Sequence, residues 1–170
     1  MGSTAEGSPV NTNLVFIRKS RPRLQAGDVF AFKIVEGPYR FGRVILVDVA
    51  DAPMPGSNLV YIYAATSSDL SAPPMKDMTP DRLLTAPIWT NKQGWLRGYF
   101  VNVARTELSA DDELPRYCFL DVVLSRRRYV DLHGQPIAER LEPCGKWGLH
   151  SHLGVDDIVS KALGLPPASD

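Results

Sequence analysis

The chain has 170 residues, 44% of them hydrophobic, and its nineteen basic and nineteen acidic side chains cancel to a formal net charge of zero. A chain this long can form one domain that buries roughly 70% of its unfolded surface, so a core needs no disulfide or metal staple. The balanced charge excludes a global field that would gather nucleic acid or anionic membrane, and any charged recognition has to be local.

Two cysteines, Cys118 and Cys144, are too few for a secreted disulfide scaffold. No charged start followed by an apolar run marks a signal peptide, and no apolar run approaches the ~20 residues of a membrane-spanning helix. The expectation is a soluble protein with a cytoplasmic location.

In chain order, residues 1–13 are small and polar and read as a flexible tail, because they cannot bury enough surface to offset ordering entropy. Arg18, Lys19, Arg21 and Arg23 then surround Pro22 in what reads as a solvated loop, with a phosphate-binding or acidic-partner patch as the functional alternative. From Asp28 the period becomes two. Phe30, Phe32 and Ile34 alternate with smaller or polar residues, "EGPY" at Glu36 to Tyr39 turns the chain, and "YRFGRVILVD" runs back as the second strand of a hairpin. Gly42 inside that strand predicts a bulge or a close backbone approach.

"LVYIYAA" from Leu59 is apolar on both faces and predicts a central strand. "TPDRLL" predicts a helix of one or two turns, with Thr79 as N-cap and Pro80 at the first helical position. "API", "WLRGYFVNV" and "YCFLDVVL" read as further strands, and "RRRYVDLHGQPIAER" as a hairpin with His133 and Gly134 at its tip. Val155, Ile158, Val159, Ala162 and Leu163 fall on one helical face. Asp156 and Asp157 are expected in that helix's first turn, where the dipole favours carboxylates, and Gly164 with Pro166 ends it. The sum is a mostly β (α+β) domain over residues 14–165, as a single antiparallel sheet or partly open barrel. A short middle helix and a C-terminal helix pack on it, and residues 166–170 form a flexible C-terminal tail.

The stretch from Cys144 to Asp157 is where chemistry would be sought. Cys144, His150 and His152 offer zinc-type ligands, but there is no Cys-x-x-Cys pair, and two histidines one residue apart on a strand point to opposite faces. Adjacent Asp156 and Asp157 diverge by about 100 degrees on a helix and do not converge on one point. No serine or cysteine sits in a Gly-framed elbow beside a histidine, and no phosphate-cradling glycine motif is present. No cofactor or metal is expected. Trp89, Trp95, Trp147, Tyr61, Tyr63 and Tyr99 form either core or an aromatic recognition face, with core the better reading.

Three pieces in order resemble one family. "GDVFAFKIVEGPYRFGRVILVD" (Gly27 to Asp48), "GWLRGYFVNV" (Gly94 to Val103) and "CGKWGLHSHLGVDDIVSKALG" (Cys144 to Gly164) together look like the immunity protein 26 family of bacterial polymorphic toxin systems. The residues that carry the resemblance are Gly27, Asp28, Phe30, Phe41, Gly42, Arg43, Trp95, Gly98, Trp147, Gly148, His150, Asp156 and Asp157. The stretch from Ala50 to Pro87 carries no motif of that kind.

The resemblance implies a non-enzymatic cytoplasmic protein that binds and neutralises a cognate toxin by occlusion. If that toxin has a basic cleft, the patch expected to meet it is the acidic connection of Glu107, Asp111, Asp112 and Glu113. The alternative is a small SH3-like barrel that binds nucleic acid or acts as a MazF-type ribonuclease, which the zero net charge disfavours.

Overall fold

The computed structural model describes residues 11–168. Strands β1 (Asp28–Lys33), β2 (Tyr39–Leu46), β3 (Asn58–Ser67), β4 (Ile88–Thr90) and β5 (Val101–Arg105) form an antiparallel sheet in the order β4-β3-β2-β1-β5. Its central strands are apolar on both faces, and the structure covers both. From β1, Phe30 and Phe32 enter one core cluster while Val29 and Ala31 enter the other; from β3, Val60 and Ile62 oppose Leu59, Tyr61 and Tyr63 in the same way. Each fully buried side chain of this kind stabilises the fold by roughly 1.5–3 kcal/mol.

What fills each face follows from the remaining elements. The first face is closed by helix α2 (His152–Ala162), through Val155 and Val159, and by Trp95 and Phe100. The second is closed by a smaller sheet of β6 (Cys118–Val123), β7 (Arg126–Val130) and β8 (Cys144–Lys146), through Phe119 and Val130. The order there is β7-β6-β8, with β6 antiparallel to β7 and parallel to β8.

The mostly β class with a C-terminal helix therefore stands, and four details are corrected. The described residues form two sheets, not one, neither closes into a barrel, and β8 runs parallel to its neighbour. "TPDRLL" is a single 3-10 turn at Pro80–Arg82 in which Thr79 makes no side-chain cap. The expected strand from Trp95 begins only at Val101, because Gln93–Leu96 form a helical turn, α1, that drives the Trp95 indole into the core. There Trp95 Nε1 donates to Asn102 Oδ1 at 2.9 Å, so turn and strand are locked together.

The fourth correction concerns α2, which starts at His152. Ser151 is its N-cap and accepts the Leu153 N–H, so the first turn holds no acidic residue, and Asp156 and Asp157 lie one turn further on. The buried Asp156 carboxylate instead accepts the Asn13 N–H at 3.0 Å and the Ser160 hydroxyl at 3.3 Å. Asn13 Nδ2 also donates to Ser160 Oγ and to the Pro166 carbonyl, each at 2.9 Å. Residues at the expected limits of both tails are thus tied to α2; residues 1–10, 169 and 170 lie outside the described structure.

Candidate functional site

The glycines and polar residues of the first motif hold the sheet's edge. Gly27 has φ +95° and passes against the Thr106 carbonyl, where a Cβ would collide. The Asp28 carboxylate, buried beside it, accepts from Gln25 N at 2.8 Å and Arg105 Nε at 2.6 Å. Gly42 lies under the Phe30 ring with which it is in register, at an irregularity in the β2–β3 pairing, so it marks both a bulge and a close approach. Phe41 is buried on the opposite face. Gly98, φ +91°, closes the turn after α1 and lies against the Phe16 ring.

The closing segment crosses from the small sheet to the large one. After β8, Trp147 packs edge-on to Trp89 and Phe119, each at 5.8 Å between ring centres. The His150 N–H donates to the Trp89 carbonyl at 2.9 Å, while the His150 carbonyl accepts from Asn91 N at 3.0 Å and Thr90 Oγ1 at 2.9 Å. A methyl group at Gly148 would meet open space, so no steric reason for glycine exists there.

The two histidines part company at this point. His150 lines a cleft of about 410 Å³ with Pro87, Cys144, Lys146, Ile158 and Lys161. His152 stacks on Tyr99 at 5.2 Å and 12°. Burial holds both imidazoles below their ordinary pKa, helped by Lys146 beside His150 and by Arg97 beside His152, which Asp156 partly opposes. Burial also raises the Asp156 carboxyl. Asp157 is exposed. Among the described residues, no group of three or more His, Cys, Asp or Glu side chains is placed to hold a metal ion.

The acidic connection between β5 and β6 is built around one buried cation. Arg43 is 3% exposed; its Nη1 lies 3.1 Å from Asp112 Oδ1, and its Nη2 donates to the Thr106 carbonyl and hydroxyl. Ser109 completes the anchor, with N–H and hydroxyl both donating to Asp112 Oδ2 at 2.8 and 3.1 Å. Burial acts to raise the Asp112 carboxyl, but the Ser109 N–H, the Arg43 charge and the Ser109 hydroxyl outweigh it and hold the group below its ordinary pKa. The Leu114 N–H donates to the Tyr61 hydroxyl, which is hydrogen-bonded to that of Tyr117. Glu107, Asp111 and Glu113 stay exposed. Of the four acidic candidates the structure therefore turns three to solvent and uses the fourth as a fastening.

The aromatic alternative resolves toward the core: Trp89, Trp95, Tyr61 and Tyr63 are fully buried. An exposed apolar feature that pattern reading passed over lies at the tip of the β6–β7 hairpin, where Val122, Val123 and Leu124 are 57, 53 and 92% exposed. Leu124 and Ser125 both have positive φ, 46° and 66°. The sequence run "YCFLDVVL" reads as a strand, and its exposure shows that the last three residues project outward at the hairpin tip.

The family model described as Immunity protein 26 matches residues 25–129 of the chain. The match takes in the 50–87 stretch that carries no recognisable motif and ends before β8 and α2. No curated protein matches, and neither does any solved structure. No helix among the described residues is long and apolar enough to cross a membrane.

Proposed function

The chain belongs to the immunity protein 26 family, and on that premise we propose that it protects its producer by binding a cognate toxin in the cytoplasm and covering an essential surface of it, with no reaction of its own. Family membership carries the reading. The acidic connection supports it with a surface: Glu107, Asp111 and Glu113 face solvent on a segment whose fourth carboxylate, Asp112, is bound by Arg43. Fixed charge of one sign accelerates encounter with a basic cleft and orients the partner, more than it adds to final affinity.

The test looks for a toxin domain encoded beside the gene and pairs the chain with it. Co-expression is expected to rescue growth, and expression of the chain alone is expected to be harmless; growth arrest by the chain alone would instead favour a toxin ribonuclease. The triple variant Glu107→Gln, Asp111→Asn, Glu113→Gln is expected to slow association about tenfold at low salt and to flatten its salt dependence. Rescue with unchanged association kinetics removes the acidic patch from the account and leaves the immunity function standing.

A further inference from the structure

The chain's two cysteines meet across the small sheet, where Cys118 of β6 and Cys144 of β8 are direct register partners on parallel strands, with their Sγ atoms 2.6 Å apart and both thiols free.

Neighbouring strands run about 4.7–4.9 Å apart, inside the 4.4–6.8 Å between Cα atoms that a disulfide spans, and residues in direct register present their side chains on the same face. Cys118 is buried, whereas Cys144 lines the cleft beside His150 and is open to a small reagent. The ladder they sit in is short: β8 pairs with β6 through Cys118–Cys144, Phe119–Gly145 and Leu120–Lys146 alone.

We propose that Cys118 and Cys144 form a redox modification site, in which a hydroperoxide closes an intramolecular disulfide between β6 and β8. The Cys144 sulfur attacks the peroxide; the O–O bond breaks, an S–O bond forms, and one water leaves. The Cys118 sulfur then displaces the oxygen from the resulting sulfenic acid; the S–S bond forms, the S–O bond breaks, and the oxygen departs with the Cys118 proton as a second water. Two thiols and one hydrogen peroxide become one disulfide and two waters. Burial, then the neighbouring Cys118, pushes the Cys144 thiol up to about 12. The attacking thiolate is scarce at neutral pH, so the reaction is slow there and speeds up about tenfold per pH unit as the solution is made alkaline.

The bond would fasten β8 where it hands the chain on to Trp147, His150 and α2, and it would enclose β7 in a covalent loop. The test uses the intact protein, split between excess reductant and hydrogen peroxide. Expected are a mass lower by two hydrogens, loss of both titratable thiols together, a Cys118 peptide linked to a Cys144 peptide, and a Tm raised by roughly 10 °C over the reduced form. Thiols that oxidise independently to sulfinic acids, or bonds that form between chains, overturn the proposal. The peptide map is read on the unaltered sequence, so the result does not depend on a cysteine variant that folds.

Discussion

Arg43 reaches from β2 to Asp112, 69 residues later in the chain, and the 3.1 Å contact between them joins the buried face of the large sheet to the acidic connection. Asp112 is 24% exposed and Arg43 almost fully enclosed, so removing the carboxylate leaves a buried cation short of its counter-charge. Asp112→Ala is expected to destabilise the protein by roughly 3 kcal/mol, and Asp111→Ala, one residue away and exposed, by less than about 0.5 kcal/mol. Urea unfolding of the two variants side by side checks the contrast; equal costs would mean that Arg43 finds its compensation elsewhere.

Gly42 has no room for a side chain because the Phe30 ring lies over it. Gly42→Ala is expected to cost about 1–3 kcal/mol by overpacking. Pairing it with Phe30→Leu should recover part of that loss, and a double-mutant cycle measures the coupling. Strict additivity of the two changes would rule the ring contact out as the cause.

How far the sequence carried the reading differs by element. The β1–β2 hairpin and α2 were legible because their periods of two and 3.6 are local, and Val155 and Val159 do reach the core. The second sheet was not, since β8 is the three residues Cys-Gly-Lys, too short to show a period, and its pairing with β6 is set by a partner distant in sequence. The start of α2 was misplaced because its cap is Ser151, which puts the aspartate pair beyond the first turn. For the acidic connection, composition revealed the charge, but only the burial of Arg43 separates Asp112 from its three neighbours.

The histidines give stability a pH dependence with a definite sign. His150 and His152 have folded pKa values below the ordinary value near 6.5, so the fold favours their neutral forms. Their contribution is fully present above about pH 6.5 and is lost as pH falls through the lowered values. The urea midpoint is expected to drop between pH 7.5 and 5.5, and less steeply in His150→Gln and His152→Gln. Asp156, whose pKa burial raises, acts in the opposite direction, and comparison with the two histidine variants isolates the imidazole share. A midpoint that is flat across this window in the unaltered protein would contradict the assignment.

The β6–β7 turn holds Leu124 and Ser125 in the left-handed region, where a branched side chain is strained and Asn-Gly is favoured. Leu124→Asn with Ser125→Gly is expected to raise stability by about 1–2 kcal/mol, read by thermal unfolding. A stabilised protein that also loses protection against its toxin would show what the exposed leucine is kept for.

The hydrogen bond from Asn13 to the Pro166 carbonyl brings the two limits of the folded region within 2.9 Å of each other. A short peptide bridge there would make the backbone a closed ring, and fresh ends opened at the exposed Gly56 would leave each strand and helix whole. Reordered in this way, the protein could carry a reporter at Gly56 without altering the order in which its strands lie side by side.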